Sequence, residues 1–187
     1  MLYDHILMIG TTGMLSSATF DLALKTNQLT CIARTRASLL QLKGGLDPHG
    51  PTYEWIACDY ANSDQFMAEI ERVWRRRPFD LVVVWMHRSG DESLNRLQQF
   101  LVDQNRELAF YHVLGSAAAD PSKQNDQFKS RGWGAVSYYE VVLGFKIENG
   151  RSRWLHHGEI SRGLLDAISS SQERFIVGTV EPWEERP

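Results

Sequence analysis

The chain has 187 residues, 43% hydrophobic and 23% charged, with a formal net charge of -3 at pH 7. That length suits one domain (1–187) with a sizeable core, and the balance is ordinary for a globular protein. Mild acidity gives no footprint for a nucleic acid partner, and no apolar run is long enough for a membrane span. With no leader-like segment at its start, the chain is expected in the cytoplasm. Cys31 and Cys58 each sit among strand-like residues and read as buried thiols of a reducing compartment. His156 and His157 lack carboxylate or cysteine partners at ligand spacing, so no metal site is expected.

Residues 6–9 (Ile-Leu-Met-Ile) read as a short buried strand. Gly10-Thr11-Thr12-Gly13 follows as a turn, and a helix opens at Met14-Leu15-Ser16. A second strand over 29–33 delivers Arg34 and Arg36. This order matches the start of a dinucleotide-binding βαβ unit. A pyrophosphate must come close to the backbone at a helix N-terminus, where unpaired N–H groups favour negative charge. A side chain at Gly10 or Gly13 obstructs that approach or the tight turn. The third small position of the pattern is Ser16 instead of glycine. An acidic residue after the second strand suits the 2′-hydroxyl of NAD, whereas Arg34 and Arg36 suit the 2′-phosphate of NADP. No Asp or Glu lies between Asp21 and Asp47 to compete for that place.

Residues 54–58 read as a third strand, and Asn62 to Gln65 as a helix start. Phe66, Met67, Ile70, Val73 and Trp74 then recur on one helical face. Arg75-Arg76-Arg77 closes that helix, where cations suit the dipole. Residues 81–86 are continuously apolar, as in a parallel strand buried on both faces. A helix over 91–105 turns Leu94, Leu97, Phe100 and Leu101 inward, and 108–114 is a fifth strand. The alternation predicts an α/β fold: a doubly wound, Rossmann-like parallel sheet in three αβα layers, with strand order 3-2-1-4-5 plus C-terminal strands. Residues 115–134 read as a loop. Beyond it a hairpin–helix–strand region is expected over 136–180: a strand over 136–147, a hairpin turn at Asn149-Gly150, a helix over 158–169 and a last strand over 173–180. Residues 181–187 read as a loose tail.

Over residues 4–118 the sequence resembles the short-chain dehydrogenase/reductase superfamily, in particular its shortened, atypical members. Ile9-Gly10-Thr11-Thr12-Gly13-Met14-Leu15 is similar to the family's pyrophosphate turn. Cys58-Asp59-Tyr60 resembles its adenine-contacting position, so Asp59 and Tyr60 are implied cofactor contacts. Val84-Trp85-Met86-His87 falls where the family has an Asn-Ala-Gly segment, which implies Trp85 beside the cofactor ribose. Leu114-Gly115-Ser116 falls where the family has its catalytic serine. The family's Tyr-x-x-x-Lys is missing, since none of the six tyrosines has Lys at the fourth position after it.

Ligands of open α/β sheets bind at the carboxyl ends of the strands. His87 and Ser116 follow the fourth and fifth strands, so both are expected there. A histidine, with an ordinary pKa of about 6.5, suits proton donation to a carbonyl, and Ser116 suits orienting it. Tyr138, Tyr139 and Lys146 are the residues available to replace the missing pair. Strand alternation allows only one of the two tyrosines into a cleft. His112, mid-strand, reads as packed core. Two function classes stand: an NADP(H)-dependent oxidoreductase acting on a small carbonyl or alcohol with an altered proton donor, and a non-catalytic NADP-binding sensor, regulator or assembly subunit. Phe145, Trp154, Phe175 and Val177 are expected near a sheet edge, which predicts a homodimer or homotetramer.

Overall fold

The computed structural model describes residues 2–122 and 132–187. The first strand, β1 (Tyr3–Ile9), is buried on both faces from His5 onward. Its alternation sends Ile6 and Met8 into one core and Leu7 and Ile9 into the other. The chain continues through α1 (Ser16–Ala23), β2 (Thr26–Ala33), α2 (Arg36–Lys43), β3 (Thr52–Ala57) and α3 (Ser63–Arg76). It then forms β4 (Leu81–Val84), α4 (Asp91–Asp103) and β5 (Leu108–Gly115). The C-terminal part holds β6 (Val136–Leu143), β7 (Phe145–Glu148), β8 (Arg151–Trp154), α5 (His157–Ser170) and β9 (Arg174–Val177).

Seven strands pair in the order β3-β2-β1-β4-β5-β6-β9, all parallel. The order reverses between β1 and β4, which opens a crevice at their carboxyl ends. Leu15 with α1, α2 and α5 covers one face, with Ala18, Leu22, Leu39, Leu42, Ile160 and Leu164 inward. Helices α3 and α4 cover the other through Phe66, Ile70, Leu97 and Leu101. This is the expected Rossmann-like α/β fold. None of the described helices is long and apolar enough to cross a membrane.

Several local expectations need correction. Helix α2 has no counterpart in the sequence reading. Thr35 caps it by accepting a hydrogen bond from Ser38 N, and only Leu39 and Leu42 are buried. The strand expected over 136–147 is two strands. Gly144 separates them, where its N donates to Val177 O at 3.0 Å and a Cβ would collide with Thr179 O. The hairpin is as expected: Asn149 and Gly150 both have positive φ, and Glu148 pairs with Arg151 across the turn. The segment expected to be a loose tail is fixed, with a 3-10 turn at Trp183–Glu185 and Arg186 Nε donating to Ser116 Oγ at 2.8 Å. Phe145 and Val177 are buried in the chain's own interior, although Val177 lies on the edge strand β9. The 115–134 loop begins with a 3-10 turn, Ser116–Ala119, and its residues 123–131 lie outside the described residues.

Candidate functional site

The turn after β1 stays on the sheet for one more residue, with Gly10 N donating to Ile32 O. Gly10 then takes φ +79, and a Cβ there would collide with the Trp85 carbonyl oxygen. Close packing of the β1 and β4 ends therefore requires this glycine. Gly13 has φ +91, but a Cβ there would meet nothing within 4 Å. It faces open space beside the start of α1. Ser16 ties the turn down, its hydroxyl donating to Gly13 O at 2.8 Å. Helix α1 has no side-chain cap and no acidic residue in its first turn. Ser16 N already donates to Gly13 O at 3.2 Å, so the N–H groups of Ser17 and Ala18 are the ones left for an anion. Thr12 and Met14 are half-buried beside the exposed Gly13, while Leu15 is core. The Thr11 side chain is also buried, beside the Cys31 thiol. Thr11 therefore offers an approaching ligand its backbone, not its hydroxyl.

Arg34 follows β2 directly and Arg36 opens α2; both are exposed and neither makes an ion pair among the described residues. Between α1 and α2 lies a groove lined by Thr12, Gly13, Ser16, Ser38 and Gln41. Asp59, beyond β3, is exposed, with Oδ1 accepting from Ala61 N. Tyr60 is buried. Its carbonyl accepts from Ser93 Oγ at 2.6 Å, its hydroxyl accepts from His87 N at 3.4 Å, and its ring fills the space over Gly90. Tyr60 thus holds the β4–α4 connection in place.

A second groove, of about 360 Å³, opens beyond the carboxyl ends of β4 and β5 and against the middle of β6. Trp85, Met86, Leu94, Val113 and Leu114 supply apolar walls, and His87, His112, Tyr138 and Glu140 supply polar groups. His87 is exposed and its ring meets Trp85 edge-on at 5.6 Å. The register Phe110↔Tyr138 and His112↔Glu140 puts these side chains on one face. His112 Nδ1 lies 3.0 Å from the Tyr138 hydroxyl, which lies 3.4 Å from Glu140 Oε1. The Tyr138 ring stacks on Trp133 with centroids 4.3 Å apart. Glu140 is buried and paired with Arg174 at 2.9 Å. Burial pushes the His112 imidazole down to about 4, so at neutral pH it is uncharged.

Of the two tyrosines, Tyr138 lines the groove. Tyr139 is on the opposite face, stacked on Tyr111 with centroids 4.6 Å apart. Lys146 is remote from the groove and paired with Glu159 at 2.7 Å. Ser116 is buried, and its Oγ accepts from Arg186, so it is not brought beside His87 among the groove-lining side chains. The sequence reading passed over His112 and Glu140 as groove residues. One signal was present: two polar residues that become neighbours if the fifth and sixth strands pair. No group of three metal-ligating side chains occurs among the described residues.

No protein-family model matches this sequence, and no curated protein is significantly similar to it. Solved structures do match. A short-chain dehydrogenase from Sphingobium yanoikuyae in complex with NADPH is 11% identical, covering 97% of this chain and 91% of that one, with a TM-score of 0.70. A short-chain dehydrogenase from Bacillus anthracis is 10% identical over 98% of each chain, with a TM-score of 0.73. A bulky-bulky ketone specific alcohol dehydrogenase from Comamonas testosteroni is 12% identical, covering 99% of this chain and 91% of that one, with a TM-score of 0.72. At such identities the likeness is one of architecture: this chain has the Rossmann-like fold seen in short-chain dehydrogenases.

Proposed function

We propose that this protein binds NADP(H) across the carboxyl ends of β1, β2 and β4 and is a short-chain dehydrogenase/reductase-like oxidoreductase with altered catalytic residues. One observation carries the reading. The glycine turn with its uncapped helix start lies on the same sheet end as a groove holding Tyr138, His112, Glu140 and His87. The residues fit the cofactor: open space at Gly13, the N–H groups of Ser17 and Ala18 at the start of α1, and two arginines after β2 that make no ion pair among the described residues. Gly10 to Leu15 would hold the pyrophosphate through the backbone, and Arg34 and Arg36 the 2′-phosphate. Asp59 would meet the adenine and Trp85 the ribose, while Tyr60 supports them from below.

When bound, NADPH supplies the hydride for a carbonyl. The chain must then supply a proton and hold the oxygen. Tyr138 suits this task, since its hydroxyl is fixed by His112 and Glu140 at the groove wall. Arg174 offsets the Glu140 charge, so the phenol stands beside a neutralised pair. His87 lines the same groove just beyond β4 and is the second proton donor available. The substrate is a small carbonyl or alcohol, the compartment the cytoplasm and the assembly a homo-oligomer.

The test is a titration with NADPH and NADH, followed by NADPH oxidation against a panel of aldehydes and ketones. The proposal requires tighter NADPH binding, and Arg34→Ala should weaken NADPH while leaving NADH nearly unchanged. Equal affinity for both cofactors removes the NADP assignment. The absent Tyr-x-x-x-Lys, together with a Ser116 hydroxyl bonded to Arg186, favours a second reading: a non-catalytic NADP-binding sensor, regulator or assembly subunit. NADPH binding without reduction of any panel member selects it.

A further inference from the structure

Helix α5 returns to the first turn of the chain. Ser161 Oγ donates to Met14 O at 2.8 Å, a contact between residues 147 apart in sequence, and α5 packs along α1. The start of α5 is also fixed from its own side. Glu159 accepts from His156 N at 2.8 Å and is paired with Lys146 and Arg153. His157, the first residue of the helix, is thereby set at the groove between α1 and α2, on the same lining as Thr12, Gly13 and Gln41. It is exposed and makes no hydrogen bond or ion pair among the described residues.

No carboxylate lines this groove. Two other grooves differ: Asp91 and Glu140 line the one beyond β4, and Glu159 and Asp166 line one between α5 and β9. The hydroxyls of Ser16 and Ser38 already donate, to Gly13 O and to Thr35 O. The Thr12 hydroxyl, the Gln41 amide and the His157 imidazole are the side-chain donors that remain. Arg36 opens α2, the helix that forms one wall. Donors without a competing carboxylate suit an anion.

We propose that the α1–α2 groove is a phosphomonoester site and that His157, brought to it from the far end of the chain, helps select NADPH over NADH. This rests on the reading that a dinucleotide binds at the first turn. A phosphomonoester carries up to two negative charges and three acceptor oxygens, so the arginines after β2 leave acceptors for a further donor. An imidazole donates a hydrogen bond when neutral and adds a charge when protonated. The 2′-phosphate is then held from the α5 side as well as from β2 and α2.

The experiment titrates adenosine 2′,5′-bisphosphate and, separately, 5′-AMP into the full chain by calorimetry, then NADPH and NADH. The two nucleotides differ only in the 2′-phosphate. His157→Ala should weaken the bisphosphate and NADPH about 10-fold, as expected for one hydrogen bond to a charged group, and leave 5′-AMP and NADH unchanged. His157→Lys, which restores a donor and a positive charge, should recover most of the loss. A loss shared by all four ligands would reduce His157 to a support for the start of α5 and overturns the proposal, as does a His157→Lys variant no better than His157→Ala. A preference for NADPH that survives His157→Ala in full overturns this site and leaves the NADP reading standing. Bisphosphate binding that depends on His157, in a protein that binds neither NADPH nor NADH, would keep the site and remove the oxidoreductase reading.

Discussion

The His112 ring and the Tyr138 hydroxyl meet at 3.0 Å across the paired strands β5 and β6. Both line the groove beyond β4 from the middle of their strands, and neither is near the other in sequence. The contact converts a strand histidine into a group that fixes a phenol. Removing the phenol oxygen should therefore separate chemistry from cofactor binding. Tyr138→Phe should lower any reductase rate by about 100- to 10,000-fold, the usual contribution of a positioned acid, with little change in NADPH affinity. His87→Ala, from the exposed wall of the groove, should cost less. Steady-state rates and a binding titration on each variant decide the order. A fully active Tyr138→Phe would transfer the donor role to His87.

The glycines of the first turn make separable demands. At Gly13 the cost of a side chain is the positive φ alone, about 1–2 kcal/mol for a non-glycine residue. At Gly10 the same strain is joined by a collision with the Trp85 carbonyl. Gly10→Ala should therefore destabilise the fold more than Gly13→Ala in urea unfolding. Gly13→Val should stay folded and lose dinucleotide binding, because the new side chain occupies the open space at the turn. A folded Gly13→Val with full NADPH affinity would place the phosphates elsewhere.

Much of this was legible before the structure, for physical reasons that differ by element. Strands β1 and β4 are short runs of Ile, Leu, Met and Val, and only a strand buried on both faces carries that pattern. Helix α3 announces itself by its period and by Asn62, whose side chain accepts from Gln65 N. Helix α2 is short, buries two side chains and was lost among polar neighbours, although its Thr35 cap was in plain view. The groove chemistry was harder to read. Glu140 is paired with Arg174 only because β6 and β9 lie side by side, a long-range register that local patterns do not carry. The hold of Arg186 on Ser116 joins residues 70 apart in the same way.

Strand β9 pairs with β6 on one side and, among the described residues, has no strand on the other. Ile176 on it is 40% exposed, and Phe175 is partly so. An unpaired apolar edge is normally covered. Light scattering at micromolar concentration should give at least twice the monomer mass, and Ile176→Lys should shift it toward the monomer. A monomeric wild type counts against the homo-oligomer.

The buried histidine also makes stability depend on pH. Burial lowers the folded pKa of His112 to about 4, whereas the unfolded chain titrates it near 6.5. Its full contribution is therefore present above pH 6.5. As pH falls from there toward 4, the unfolded state takes up a proton that the folded state refuses, so stability drops; below 4 both states are charged and the loss stops. Between pH 7 and pH 5 the expected loss is about 2 kcal/mol. His5, buried against Thr30 and Arg77 O, is shifted in the same direction by burial and adds to the slope. Asp4, held to about 2 by Arg77, and Glu159, held low by Arg153, lose their contributions at lower pH and do not contaminate this window. Urea unfolding of wild type and His112→Gln at pH 7 and pH 5 isolates the effect. The variant should start less stable, because the Tyr138 contact is altered, but lose about 2 kcal/mol less on acidification. An identical pH slope in both proteins would mean that His112 titrates alike in the folded and unfolded states and that burial does not lower its pKa.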